Sequence, residues 1–154
     1  MNDPDRDPAA RGELAYISAD DVDGLTVSDV MHADVESLPS TATVAELRAW
    51  FAVSPSRRLA VMTQDGRYEA ALTPADVGRD APDDQPAIEL ARDCPTLSPD
   101  LAAAAGRDRV LASQGRRLPV VDAHGRFLGM LAMTTDLQFF ACRRRPFRRG
   151  AAPS

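Results

Sequence analysis

Two groups of residues in this sequence have types and spacings suited to ligand binding. Thr73 and Asp76 stand three positions apart in the stretch TPAD, where an ionised carboxylate offers acceptor oxygens and a threonine hydroxyl donates or accepts a hydrogen bond. Arginine pairs at 57–58 and 116–117 carry guanidinium groups, whose planar fork matches the oxygens of a phosphate. Taken alone, the spacing of Thr73 and Asp76 favours a helix cap over contact with a ligand.

A structural interpretation of the same residues stays open. Threonine at an N-cap, followed three positions later by an acidic residue, stabilises a helix start through hydrogen bonds and the helix dipole. Arginine pairs at strand starts are commonly solvated, and we assign one member of each pair to a cleft and one to solvent. The sequence contains no phosphate-binding glycine loop, nucleophile elbow or metal-ligand cluster, so we expect neither an enzyme nor a metal site.

The elements that must position these residues occur twice. RRLAVMTQDGRYEA at 57–70 returns as RRLPVVDAHGRFLG at 116–129. The same offset of 59 positions relates Leu38 to Leu97. A repeat at fixed spacing indicates a duplicated structural unit.

Each copy of the repeat predicts a short strand, a helix, a hairpin and a second helix. In the first copy the strand is residues 35–38, and Thr43 with Glu46 forms a capping box before apolar residues at helical spacing. RLAVMT and RYEAALT then form a hairpin around QDG, where glycine supplies a positive φ. The closing helix begins with Thr73 as N-cap and proline at its first position.

The second copy predicts the same order of elements. Its strand lies near TLS, its first helix in DLAAAAGRDRVLAS, its hairpin in RLPVVDA and RFLGMLAM, and its final helix from Thr135 to Cys142. Short helices in VSDVM at 27–31 and AIELAR at 87–92 precede the two copies. The predicted organisation is an acidic disordered tail over 1–24, a first unit over 25–77, a linker over 78–86, a second unit over 87–141 and a basic tail over 142–154.

The composition limits the class of protein. The chain has 154 residues, of which 44% are hydrophobic and 27% charged, as in a compact soluble protein. Its net charge is −5 although five arginines lie in CRRRPFRRG, so the body is acidic and unsuited to nucleic acid.

No apolar run approaches the ~20 residues of a membrane helix. We therefore predict a cytoplasmic protein, not an integral membrane protein, with unpaired Cys94 and Cys142, and its wealth of arginine and alanine favours a bacterial origin.

Taken in order, these motifs resemble the tandem cystathionine β-synthase (CBS) domain pair, or Bateman module, over residues 27–141. The resemblance rests on VSDVM followed by VESLP, on RRLAV and RRLPVVD before a glycine turn, and on the closing LTPADV. It implies an α/β fold of two β-α-β-β-α repeats about a pseudo-twofold axis, with small sheets inside and helices outside. It also implies a homodimer that binds AMP, ADP, ATP or S-adenosylmethionine in a cleft between the repeats. Such a protein regulates a partner and requires no cofactor.

The resemblance further implies which residues line the two clefts. Asp76 and Thr73 would bind ribose hydroxyls, and the adenine would lie between the strand at Val35 and Ser37 and the edge of the hairpin. The residues implied at the first hairpin are Arg58, Leu59, Ala60 and Val61. Those implied in the second copy are Thr96, Arg117, Pro119, Val120 and Asp136.

Each copy departs from the family pattern at one point. In the second copy the threonine position is Ala132, and Asp136 comes one residue late in AMTTD. Either the helix start is shifted by one residue, with Thr134 or Thr135 in the threonine role, or the second copy has lost its ribose contacts. We therefore expect the first copy to carry the better site. In the first copy Ala70 stands where the family has glycine, and its methyl would crowd a close backbone approach.

The segment RRRPFRR at 143–149 has more than one interpretation. It is a solvated tail, or it binds an anionic membrane surface at ~1 kcal/mol per arginine or an acidic partner. The alternative function for the chain is accordingly a ligand-free CBS scaffold that acts through its dimer face and this tail. Trp50 and Phe51 on the first helix are predicted core and dimer-contact residues.

Overall fold

The computed structural model describes residues 14–18, 20, 22–33, 35–55, 57–92 and 94–142. The strands and α-helices of these residues are β1 Leu14–Ser18, α1 Val27–Val30, β2 Leu38–Pro39, α2 Val44–Ala52, β3 Ala60–Gln64, β4 Arg67–Leu72, α3 Ala103–Leu111, β5 Arg117–Val121, β6 Phe127–Ala132 and β7 Gln138–Cys142. Single turns of 3-10 helix occur at Pro74–Asp76, Ala87–Leu90 and Gln114–Arg116. The predicted α/β class, with small sheets and few helices, is confirmed.

The duplication read from the sequence is present in the fold. Helices α2 and α3 are related by the 59-residue offset at both ends. β3 pairs antiparallel with β4, and β5 with β6. Each hairpin also receives a short parallel partner, through Leu38 opposite Met62 in the first copy and Leu97 opposite Val120 in the second. Both copies therefore contain a strand segment, a helix and a hairpin in the same order.

Helix α2 is defined by its cap and by one apolar face. The Thr43 hydroxyl accepts a hydrogen bond from the Glu46 amide at 3.3 Å, and the Glu46 carboxylate accepts one from the Thr43 amide at 3.0 Å. Val44 and Leu47 are fully buried in a core cluster that includes Met62 of β3. The predicted capping box is confirmed, and it orients α2 over the first hairpin.

Removing this cap should destabilise the first copy. We expect Thr43→Ala to lower the free energy of unfolding by ~1 kcal/mol, because the Glu46 amide loses its side-chain acceptor at the helix start. Urea denaturation would measure the change. Thr41→Ala, at an exposed turn position, is the control, and an equal loss in both variants would show that the cap is not the source of the stability.

Helix α3 has no side-chain hydrogen bond at its N-cap, Ala102, and is held by packing instead. A Cβ at Gly106 would lie 2.7 Å from Val27 Cγ2 and 2.9 Å from Leu131 Cδ2. Glycine therefore lets α3 lie directly against α1 and β6. The largest fully buried side chains of this second core are Val27, Val30, Leu97, Val110, Leu131, Met133 and Phe139.

The two copies are joined through their hairpins. The Tyr68 amide donates to the Gly125 carbonyl at 2.9 Å, and the Phe127 amide donates to the Gly66 carbonyl at 3.0 Å. Closer to the hairpin bases lies a buried apolar cluster with members from both copies. This inter-copy cluster consists of Leu59, Val61, Ala71 and Met130.

The predicted final helix over 135–142 is wrong. These residues form a turn followed by β7. Leu137 has a φ of 60°, and the Thr134 hydroxyl accepts a hydrogen bond from the Gln138 amide at 3.2 Å, so the chain reverses after β6 instead of winding into a helix. The reversal carries Phe139 into the second core, where its side chain is fully buried.

β7 finds its partner inside the segment predicted to be a disordered tail. β1 runs antiparallel to β7, from Leu14 opposite Cys142 to Ser18 opposite Gln138. The prediction of disorder through residue 24 is therefore wrong for β1. A strand obtains its backbone hydrogen bonds from a partner that is distant in sequence, so the composition of the segment alone did not indicate it. Residues 1–13 and 143–154, which carry the other tail predictions, lie outside the described residues.

Three predicted helices are shorter than expected. α1 has four residues, and the segments after Thr73 and at 87–92 each form one 3-10 turn. After Asp76 the chain is drawn toward α2, because Arg48 Nη2 donates to the carbonyls of Gly78 at 2.8 Å and Arg79 at 3.3 Å. The first copy therefore lacks a full closing helix beside α2.

Candidate functional site

Thr73 and Asp76 lie together at the start of the Pro74–Asp76 turn. The Thr73 amide and hydroxyl both donate to Asp76 Oδ2, at 2.8 and 3.1 Å. The Asp76 side chain is only 12% exposed. The structural role of this pair at the helix start is confirmed, and its contact with a ribose stays a prediction.

The other carboxylate oxygen of Asp76 forms an ion pair with an arginine that the sequence analysis did not identify. Arg92 Nε lies 3.3 Å from Asp76 Oδ1. Burial raises the pKa of the nearby Cys94 thiol, the hydrogen bond from Tyr68 opposes that shift, and the charge of Asp76 adds to it. Burial, followed by the charge and hydrogen bond of Cys94, raises the pKa of Tyr68. Cys94 and Tyr68 are therefore neutral near pH 7, and the charges here belong to Asp76 and Arg92.

The predicted adenine slot is assembled in part. Val35 packs against the inter-copy cluster, which contains Leu59 and Val61. Ala60 faces the opposite side, in the core beneath α2, because successive residues of a strand point to opposite faces. Ser37 is exposed and its hydroxyl hydrogen-bonds a threonine hydroxyl of β3 at 2.8 Å. The structure thus brings together Val35, Leu59 and Val61 but not Ala60.

A groove of about 460 Å³ borders the Pro74–Asp76 turn. Its wall includes Phe51 from α2, Pro74 from the turn and Val77 directly after the turn. Four arginines also line it, namely Arg48, Arg57, Arg58 and Arg79. Arg58, predicted to contact phosphate, therefore borders a space large enough for a small ligand.

The four arginines of this groove differ in their partners. Arg48 pairs with Asp83 at 2.6 Å. Arg57 pairs with Glu36 at 3.4 Å and lies over the Trp50 ring, with its Cζ 4.5 Å from the ring centroid. Arg58 and Arg79 make no ion pair with a carboxylate of the described residues. These two guanidinium groups are the ones with charge to offer a ligand.

Arg117, the counterpart of Arg58, is buried beside uncharged partners. It is 9% exposed, and its Nη1 donates to the carbonyls of Gly115, Arg116 and Met133 at 3.1 to 3.4 Å. A Cβ at Gly115 would lie 3.5 Å from the Cβ of Arg58, so the two hairpin starts are close together. Burial, and then the charge of Arg58, lowers the pKa of Arg117. Positive charge therefore accumulates where the starts of the two hairpins meet.

The second copy lacks an equivalent of the bonded Thr73–Asp76 pair in the described residues. Asp136 is exposed and lies in the turn that precedes β7, not at a helix start. Thr96 is also exposed. Pro119 and Val120 are buried in β5, with Val120 in the second core. Among the implied second-copy residues, Arg117 lies next to Arg58 of the first copy, and Pro119 pairs with Met130 of the inter-copy cluster.

The copies also differ in how the segment before each copy meets a hairpin. The His32 amide donates to the Met130 carbonyl at 2.8 Å, and the Met130 amide returns a bond at 2.9 Å. This approach requires Gly129, where a Cβ would lie 2.5 Å from the His32 oxygen. The position corresponding to Gly129 is Ala70. Ala91, which corresponds to His32, donates within its own 3-10 turn instead.

No model of a known protein family matches the sequence. The chain is 30% identical over 131 residues to a homoserine O-acetyltransferase of Methanohalophilus mahii. That match covers 81% of this chain and 26% of the relative. The chain thus spans about a quarter of the length of this curated protein.

Solved structures match the fold over most of the chain. The CBS-pair domain of a proposed Mg²⁺ transporter from Shewanella oneidensis superposes with a TM-score of 0.63 at 18% identity, covering 70% of this chain and 64% of that one. A CBS domain protein from Pyrobaculum aerophilum complexed with AMP gives 0.57 at 26% identity, covering 70% and 87%. The CBS-pair protein CBSX2 of Arabidopsis thaliana in complex with AMP gives 0.60 at 18% identity, covering 71% and 90%. The chain has the fold of a tandem CBS domain pair.

Two further observations describe this CBS pair. In the part of the chain that the structure covers, no helix is long and apolar enough to cross a membrane. Among the same residues, no three His, Cys, Asp or Glu side chains converge as metal ligands would.

Sequence reasoning missed Arg92 and Cys94 as neighbours of Asp76, and Tyr68 as the hydrogen-bond partner of Cys94. Arg92 and Cys94 follow the Ala87–Leu90 turn, and Tyr68 is the second residue of β4 in the first copy. No periodicity or motif links them, since their proximity arises from the way the segment before the second copy of the CBS pair crosses to the first hairpin. A local signal that could have identified them is absent from the sequence.

Proposed function

We propose that this CBS pair is a regulatory module that binds an adenine nucleotide between its copies and signals occupancy to a partner protein. The observation that carries the proposal is the Pro74–Asp76 turn. Its Asp76 is a largely buried carboxylate, and its Pro74 lines an arginine-rich groove whose walls are drawn from residues 48–79 and do not include Asp76. A nucleotide joins ribose hydroxyls to phosphate in one molecule, so these two features match its two polar parts. The AMP complexes of the Pyrobaculum and Arabidopsis proteins support the same ligand class.

Each part of a nucleotide has a candidate contact. Asp76 accepts hydrogen bonds from the ribose hydroxyls, which are strong because the acceptor is ionised. The apolar surface of Val35, beside Leu59 and Val61, accepts the adenine ring. Arg58 binds phosphate, and the added anion offsets the repulsion between Arg58 and the buried Arg117. Phosphate therefore increases affinity in two ways: it contacts Arg58 directly, and its negative charge reduces the repulsion between Arg58 and Arg117.

Calorimetry with AMP, ATP and S-adenosylmethionine tests the proposal directly. A ligand present at 100 times its dissociation constant stabilises the folded state by ~2.7 kcal/mol, which raises the melting temperature measurably. We expect heat of binding and thermal stabilisation from at least one of the three. Absence of both effects with all three ligands at millimolar concentration would overturn the proposal.

The contribution of phosphate is tested by comparing AMP with adenosine. We expect Arg58→Ala to weaken AMP binding by roughly tenfold or more, the loss of a charge-assisted hydrogen bond, while adenosine binding is unchanged. Arg109→Ala, at an exposed position of α3 in the other copy, is the matched control. An equal loss for AMP and adenosine would place Arg58 outside the phosphate contact.

We propose further that the CBS pair acts in the cytoplasm as a homodimer that uses the outer end of α2. Trp50 and Phe51 pack edge to face there, with ring centroids 5.3 Å apart. Val53, at the end of the same helix, is 67% exposed. Sedimentation velocity of Val53→Asp against the wild type tests this surface, and an unchanged dimer fraction would remove α2 from the interface.

A further inference from the structure

We infer that Arg92 competes with the ligand for Asp76, so that the segment leading into the second copy sets the affinity of the first-copy site. This inference rests on the proposed function. Asp76 Oδ2 already accepts the amide and hydroxyl of Thr73. Asp76 Oδ1 lies 3.3 Å from Arg92 Nε. Both carboxylate oxygens thus have partners, and Arg92 occupies an acceptor position of Oδ1 that a ribose hydroxyl would otherwise take.

The geometry of the pair favours such a displacement. Arg92 is 80% exposed whereas Asp76 is 12% exposed, so the arginine returns to water easily while the carboxylate stays in the protein. An ion pair with one exposed partner holds weakly. Arg92 therefore covers the site without closing it permanently.

The backbone of the covering segment is also less constrained than its counterpart. His32 exchanges two backbone hydrogen bonds with Met130 of the second hairpin. The corresponding Ala91 donates within the Ala87–Leu90 turn. The residue that corresponds to Arg92 in the first copy is Ala33, which carries no charge. The arginine cover is therefore a property of the Asp76 site alone among the two copies.

Adenosine is the probe that isolates this competition. It carries the ribose hydroxyls and no phosphate, so loss of an arginine cannot weaken it through lost attraction to an anion. We expect Arg92→Ala to bind adenosine about two- to fivefold more tightly than the wild type, the range set by an exposed ion pair. Arg109→Ala is the control and should bind as the wild type does.

Salt provides a second readout that a merely structural role would not move. Raising the ionic strength screens the Arg92–Asp76 pair, so adenosine affinity of the wild type should rise toward that of Arg92→Ala, whose own affinity stays constant. Wild-type or weaker adenosine binding by Arg92→Ala would overturn the inference and leave the proposed function standing. Failure of both proteins to bind adenosine and AMP would instead overturn the proposed function, and the inference with it.

Discussion

Asp76→Asn should weaken AMP binding at least tenfold, about 1.4 kcal/mol, while costing the fold little. The amide keeps an oxygen that can accept the Thr73 amide, so the helix start retains part of its cap. It loses the charge that strengthens hydrogen bonds from ribose hydroxyls, each worth ~1.5–3 kcal/mol to an ionised acceptor. Calorimetry with AMP and urea denaturation on the same preparation separate the two effects.

The chain provides a matched control for this experiment. Asp29 accepts the Thr26 amide at 2.9 Å and the Thr26 hydroxyl at 3.1 Å, which is the arrangement of Thr73 and Asp76 at the start of a different helix. Asp29→Asn should therefore change stability by a similar amount and leave AMP binding unchanged. If the two variants bind AMP equally well, Asp76 is a cap only and the ribose assignment is wrong.

Gly129→Ala should destabilise the protein by ~2–3 kcal/mol, through overpacking and the loss of backbone hydrogen bonds. The added Cβ would lie 2.5 Å from the His32 carbonyl oxygen and 3.0 Å from the Ala33 Cα. Both are backbone atoms, so no side-chain rotation relieves the clash. The His32–Met130 hydrogen bonds must lengthen or break. The segment that follows α1 is then held less firmly against the second hairpin. The midpoint of urea unfolding measures the change.

Gly78→Ala is the control for the chemical change itself. A Cβ at Gly78 meets no atom within 4 Å, and its φ lies outside the left-handed region. We expect its unfolding free energy to stay within ~0.5 kcal/mol of the wild type. A comparable loss in both variants would show that close approach of the His32 backbone is not what Gly129 provides.

Local patterns in the sequence predicted the elements whose formation depends on nearby residues. Thr43 with Glu46 predicted the start of α2, and the glycine in QDG predicted the turn between β3 and β4, where Gly66 has a φ of 80°. The 59-residue offset predicted that α3 would repeat α2. Capping and turn formation involve contacts within a few positions, so one stretch of sequence contains both partners.

The failures occurred where the partner lies far away along the chain. QFFAC at 138–142 was expected to be helical, yet it pairs with LAYIS at 14–18. The closing helix of the first copy was expected to continue beyond Asp76, yet Arg48 holds Gly78 and Arg79 against α2. Neither LAYIS nor Arg48 is adjacent to the segment whose structure it changes, so no local pattern could have contained the answer.

The candidate site divides in the same way. The sequence by itself determined that Thr73 and Asp76 lie in one turn and that each copy contains a hairpin. Turns and hairpins form from residues that are close together in the sequence. Only the tertiary structure decided that Arg92 covers Asp76, that Ala60 faces away from the inter-copy cluster and that Arg117 is buried near Arg58. Those outcomes depend on which surfaces meet when the copies pack, and packing is decided by the whole chain at once.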